Sequence, residues 1–241
     1  MTGERYPGDD FNLEGLMTAR RELTFLLAPV ERRVLTGIAR RLPQRLTSDH
    51  LTALGLVGSL GTGLAYALSA TATGWLWVAT GMIAINWLGD SLDGTLARVR
   101  RTERPKYGYY LDHLVDALST AAVGVGIGLS PYVDLAVGLV LVIAYLSLSI
   151  NVYLESAVFG VFRLAYGRIG PTETRVLLIL ANTILALASW VTDLPPERVG
   201  LFTNLAALGL AGGMLAVLVA RFASNLRVLG RMEPMPPGPQ A

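Results

Sequence analysis

The chain has 241 residues, of which 52% are hydrophobic and only 16% charged, and its mean hydropathy is +0.49. Soluble domains carry about 25% charged residues, so this composition excludes an ordinary soluble fold, and the absence of cysteine excludes disulfides and thiolate metal sites. The formal net charge of +2 says little alone, and no nucleic-acid partner is expected.

The first ten residues, MTGERYPGDD, are polar, and no short apolar stretch with a cleavage site follows, so no signal peptide is expected. Residues 1–12 are expected to be disordered. Residues 13–47 form a juxtamembrane region. Within it, Leu16, Leu23, Leu27, Val30, Val34 and Ile38 alternate with Arg20, Arg21, Arg32, Arg33, Arg40 and Arg41. That pattern predicts an amphipathic, basic helix or helix pair suited to the anionic cytoplasmic leaflet. Pro43 breaks it, and Ser48 or Asp49 is expected to cap the next helix.

Charge then disappears from residue 51 to residue 89, and again over 117–133, 135–154, 176–192 and 199–220. A membrane helix needs about 20 mostly apolar residues. The runs predict an all-α, polytopic integral membrane protein with one six-helix domain over residues 48–230. Its spans fall near 51–70, 73–99, 108–130, 133–162, 171–192 and 198–225. Gly58, Gly61 and Gly63 in the first span and Gly124, Gly126 and Gly128 in the third are read as close-packing positions between helices. The Pro-rich end, residues 231–241, is expected to be disordered. Of the 20 Lys and Arg, eight precede the first span, and Arg198 alone falls in the loops of the opposite side. The positive-inside rule therefore places both termini, and the loops near 103 and 168, in the cytoplasm.

The second and third spans hold a cluster of acids. Asp90 and Asp93 share a helix face at i and i+3, and Asp90 lies sixteen residues, about 24 Å, from Gly74 on the far side. Gly108, Asp112 and Asp116 recur every four residues on the helix that returns, so four carboxylates are expected in one pocket near the cytoplasmic boundary. Acids at membrane depth are costly and are usually kept for function. Their mutual repulsion calls for one or two divalent cations, and all-oxygen ligands suit Mg²⁺ or Mn²⁺. Gly94, Ala97 and Gly108 leave room near the backbone for a flat ring or a diphosphate, and Arg98 offers charge to phosphate.

The pattern D-x-x-D-G-x-x-A-R, a nine-residue spacer, then G-x-x-x-D-x-x-x-D resembles the signature of the CDP-alcohol phosphotransferases (CDP-alcohol phosphatidyltransferases), with eight fixed residues over 27 positions. The resemblance implies transfer of a substituted phosphate from a CDP-linked alcohol, CDP-diacylglycerol or a CDP-aminoalcohol, to an acceptor hydroxyl, with release of CMP in phospholipid synthesis. It further implies Asp90, Asp93, Asp112 and Asp116 as ligands of two Mg²⁺ or Mn²⁺ ions, and Asp116 as general base. It places Gly94, Ala97, Arg98 and Gly108 against the nucleotide. The expected partners are donor, alcohol acceptor, membrane lipids and a second copy of the chain, in a bacterial or archaeal inner membrane. The family's frequent P-N-x-x-T before the first span is matched here only by Thr52, because Ser48 and Asp49 stand at its first two positions.

Other residues carry two readings each. Glu155 interrupts the fourth span and either binds a head group or pairs with an arginine such as Arg163 or Arg221. Arg163, Arg168, Arg175 and Arg221 either line an anionic acceptor pocket for glycerol phosphate or inositol phosphate or simply mark cytoplasmic helix ends. The stretch from Tyr153 to Thr174 resembles the aminoalcohol branch, although Phe159 stands where that branch carries histidine. His50 is read as a cap residue, His113 as an interfacial side chain, and Asn86 and Asn151 as interhelical hydrogen-bonding groups. An ion- or proton-coupled transporter and a catalytically silent scaffold are the alternatives from other classes.

Overall fold

The computed structural model describes residues 27–159, 170–191 and 196–234. Among these residues there are seven helices and no strand. They are α1 (Ala28–Ala39), α2 (Ser48–Leu68), α3 (Trp75–Arg100), α4 (Pro105–Gly128), α5 (Leu135–Phe159), α6 (Pro171–Val191) and α7 (Pro196–Met232). The predicted disorder of 1–12 and the 13–26 part of the predicted juxtamembrane region lie outside the described residues, as do Arg163 and Arg168. At the other end, α7 continues into the first two residues of the expected disordered tail.

Helix boundaries follow local chemistry. Thr47, in extended backbone, caps α2, and not Ser48 or Asp49. Its hydroxyl accepts from the His50 amide while His50 Nδ1 accepts from the Thr47 amide at 3.2 Å, a reciprocal capping box. Ser48 and Asp49 already lie inside the helix. α4 begins at Pro105, whose missing N–H costs nothing in a first turn. α3 ends where Arg101 turns left-handed, with φ 56°, and the Thr102 amide closes back onto the Ala97 carbonyl at 3.0 Å.

α2 and α3 pack antiparallel at a backbone-to-backbone crossing. A Cβ at Gly58 would sit 2.5 Å from the Asn86 nitrogen, and one at Gly89 would sit 2.6 Å from Gly55 Cα. α4 crosses α2 in the same way, where a Cβ at Gly126 would lie 2.6 Å from the Gly63 carbonyl carbon. Close approach of backbone thus accounts for Gly58, Gly63, Gly126 and Gly128, whereas Gly61 and Gly124 face side chains, those of Met82 and Val142. α5 packs on α4 and α7, and α6 on α3.

Ala28–Ala39 docks on the bundle by one face. Leu35 and Ala39 are buried with Leu51, Leu92 and Leu96, whereas Val30 and Val34 point outward at 63% and 45% exposure. Polar contacts complete the docking. One Glu31 oxygen accepts from the Trp87 indole N–H of α3 and from the Thr172 hydroxyl of α6, each at 2.9 Å. Arg100 donates to the Leu46 carbonyl and, at 3.0 and 2.9 Å, to those of Leu42 and Pro43, which holds the connector to α2.

Among the described residues, four helices are long and apolar enough to cross a membrane: α2, α5, α6 over Pro171–Ala188, and α7 over Val199–Met232. α3 and α4 are long enough but less apolar, because they carry Asn86, the four aspartates and the basic residues at their facing ends.

Candidate active site

The end of α3 and the start of α4 bring three of the four expected acids together. One carboxylate oxygen from each of Asp90, Asp112 and Asp116 lies within 4.8 Å of the others. The reason is geometric. Asp112 and Asp116 are stacked one turn apart on α4, and α3 and α4 both pack on α2, which brings their acids to one place.

Asp90 is further engaged by α6. Arg175 donates Nη2 to its Oδ2 at 2.6 Å and Nε to Asn86 Oδ1 at 2.9 Å. Asn86 is itself fixed by α2, donating Nδ2 to the Gly55 carbonyl at 3.0 Å and to Ser59 Oγ at 2.7 Å. Asn86 thus bonds between helices as read from the sequence, and it also aims Arg175 at Asp90, which the sequence did not reveal.

Asp93 stands beside the trio, within electrostatic reach of Asp90 and Asp112. Its Oδ2 accepts from Thr52 Oγ1 at 2.6 Å, and its Oδ1 from the Gly94 amide. Its main-chain carbonyl accepts from Ser48 Oγ at 2.8 Å. Sequence reading noted Thr52 only as part of a motif and gave Ser48 no contact with the acids. Residue 52 comes opposite residue 93 only through the register of the glycine crossing between the two helices.

The small motif residues leave space. A Cβ at Gly108 would meet nothing within 4 Å, and one at Gly94 would meet only the Arg98 guanidinium, at 3.3 Å from Nη1. Packing against the described residues does not demand these two glycines, in contrast to Gly58 and Gly89. Ala97 is partly exposed on the same helix, and Arg98 donates to Thr95 Oγ1 at 3.1 Å. At the mouth, Arg104 pairs with Asp49 and lies 3.9 Å over the Tyr107 ring. The neighbouring carboxylate holds that exposed guanidinium above its ordinary pKa.

The donor set fits a hard divalent cation. Three carboxylates converge with oxygen ligands alone, and the Arg175 guanidinium offsets one of their charges. A metal with a preference for oxygen and for phosphate-completed shells suits such a cluster.

The remaining candidates separate. Glu155 is 7% exposed and closed by partners. Its Oε1 accepts from Asn151 at 2.7 Å, Arg221 Nε at 2.9 Å and Asn225 at 2.6 Å, and its Oε2 accepts from Arg221 Nη2. The ion-pair reading of Glu155 is the one the geometry matches, with Arg221 as partner. Among the described residues, Asn151 donates to this carboxylate within its own helix. His113 is stacked on Tyr109 at 4.0 Å and meets Tyr153 edge-on at 4.3 Å.

The family model for CDP-alcohol phosphatidyltransferase matches residues 45–224. The archaetidylinositol phosphate synthase of Methanothermobacter thermautotrophicus is 30% identical over 167 residues, covering 68% of this chain and 80% of that protein. The phosphatidylinositol phosphate synthase of Cutibacterium acnes is 31% identical over 84 residues, covering 35% of this chain and 38% of that protein.

Proposed function

Because the chain belongs to the CDP-alcohol phosphatidyltransferase family, we propose that it transfers a lipid-bearing phosphate from a CDP-linked donor to the hydroxyl of a phosphorylated polyol, releasing CMP. Membership makes it a transferase of phosphate-containing groups in phospholipid synthesis. The observation that carries the finer reading is the convergence of Asp90, Asp112 and Asp116 beside the open surface at Gly94 and Gly108. The names of the two relatives support an inositol phosphate acceptor over an aminoalcohol route.

On this reading the molecule is an integral membrane protein whose α3 and α4 also cross the bilayer, making six spans. Both termini and the acidic pocket face the cytoplasm, as the arginine distribution argues, and α1 lies at the membrane surface. A divalent ion held by Asp90, Asp93, Asp112 and Asp116 would neutralise and orient the donor diphosphate. The backbone surface at Gly94, Ala97 and Gly108 receives the cytidine side, and Arg98 balances phosphate charge. Asp116 takes the proton of the acceptor hydroxyl. The acceptor oxygen then bonds to the phosphorus of the transferred group as the bond from that phosphorus to CMP breaks. Arg175 is suited to an acceptor phosphate because it already projects from α6 to Asp90.

The test is CMP release by the purified protein with Mn²⁺ or Mg²⁺, offering CDP-diacylglycerol or CDP-ethanolamine against inositol phosphate, glycerol phosphate and diacylglycerol, with products identified by mass. Metal-dependent CMP release with inositol phosphate supports the proposal. Ion flux in liposomes without CMP release from any pair would overturn it.

A further inference from the structure

Resting on the metal-site reading above, we propose that Thr52 is a positioning residue that locks the Asp93 carboxylate for cation binding. The antiparallel crossing supplies the register. Thr52 lies one turn before Gly55 and Asp93 one turn after Gly89, the two glycines at which the helices touch. Thr52 is 7% exposed, so its hydroxyl has little water to turn to. Its one proton has two acceptors in range, the Ser48 carbonyl at 3.2 Å and Asp93 Oδ2 at 2.6 Å. The shorter contact to an ionised oxygen is the stronger hydrogen bond and takes the proton.

Asp93 is then held at three points. Thr52 fixes Oδ2, the Gly94 amide fixes Oδ1, and Ser48 fixes the main-chain carbonyl. A carboxylate oxygen accepts at two sites, so each oxygen keeps one site for a cation while the plane of the group cannot turn. Outer partners of this kind orient metal ligands and set their affinity.

The hydroxyl is not needed to hold the helices together. Gly55, Gly58 and Gly89 pack backbone on backbone, and Asn86 already bonds to Gly55 and Ser59. Valine has the shape of threonine without the donor, so Thr52→Val isolates the hydrogen bond.

The experiment is a Mn²⁺ titration of the full-length protein in detergent, without substrate, with free ion read by electron paramagnetic resonance and the melting temperature measured alongside. Asp93→Asn and Thr52→Val are expected to weaken Mn²⁺ binding by roughly 10- to 100-fold, whereas Thr52→Ser, which keeps the hydroxyl, stays within about threefold of the parent. Melting of Thr52→Val should match that of Thr52→Ser. Thr52→Ala must show the same loss of affinity, which keeps the test decisive if valine impairs folding. Parental affinity in Thr52→Val and Thr52→Ala, with Asp93→Asn impaired, would overturn the role of Thr52 alone. Equal loss in Thr52→Ser would do the same. Failure of the parent protein to bind Mn²⁺ would overturn the metal-site reading and this inference with it.

Discussion

Removing Arg221 tests whether the Glu155 cluster is a structural clamp between α5 and α7. In the native protein the Glu155 carboxylate accepts four hydrogen bonds, two of them from Arg221. Arg221→Met removes both and leaves a carboxylate at 7% exposure facing two neutral amides. Breaking a buried pair by deleting one partner costs about 3–5 kcal/mol. For a chain of this size, roughly 2–4 °C per kcal/mol converts that to a fall in melting temperature of about 6–20 °C. Glu155→Gln/Arg221→Met removes both charges, and such neutral replacements of a buried pair recover most of the loss. The assay is thermal unfolding of parent, single and double variants in one detergent, with acceptor KM measured on whatever remains folded. A single variant that melts like the parent while its acceptor KM rises about tenfold, roughly 1.4 kcal/mol, would refute the clamp and return Arg221 to the acceptor site.

Three further outcomes follow from the site and the helix crossings. Asp116→Asn should lower CMP release by about 10²–10⁴, the usual contribution of a general base, while binding of the CDP-alcohol measured by calorimetry changes little. Gly108→Leu should fold at least as well as the parent, since its Cβ meets nothing and leucine is the better helix former by up to about 1 kcal/mol. Its KM for the CDP-alcohol should nevertheless rise about tenfold or more, roughly 1.4 kcal/mol of lost binding, as the side chain fills the donor surface; unchanged KM would remove Gly108 from the nucleotide site. Gly58→Ala should destabilise by about 1–3 kcal/mol, because the new carbon would sit 2.5 Å from backbone. Gly81→Ala, whose Cβ meets nothing, serves as the control that separates overpacking from helix propensity.

The helical layout was readable from charge-free runs, and the observed α2 to α6 begin and end within a few residues of the predicted spans wherever the chain is described. The stacking of Asp112 and Asp116 was readable too, because i, i+4 spacing is a local property of one helix, whereas Asp93, expected in the same pocket from its i, i+3 spacing to Asp90, stands beside the trio. What sequence did not reveal depends on register between helices. Thr52 meets Asp93 across 41 positions and Arg175 meets Asp90 across 85. Neither pair is implied until the glycine crossing fixes how α2 slides along α3, and how α6 lies against it. Glu155 illustrates the same limit. Its place in an apolar span left head-group binding and pairing with an arginine both open, and the choice of Arg221 is a tertiary fact. The start of α2 was missed by one residue because Thr47, Ser48 and Asp49 are all competent caps, and only the extended backbone at Thr47 decides among them. A second apolar face of α1 went unread: Leu35 and Ala39 meet the bundle, while Val30 and Val34, on the stripe expected to face lipid, stay exposed.

The shared Glu31 oxygen has a mechanical consequence. Because it accepts from Trp87 and Thr172 together, α1 is tied at one atom to the helix that carries Asp90 and to the helix that carries Arg175. On the proposed topology, with α1 at the membrane surface, the depth of the acids below that surface is set by the polypeptide like the fixed stop on a depth gauge, and bilayers of different thickness would adjust around it.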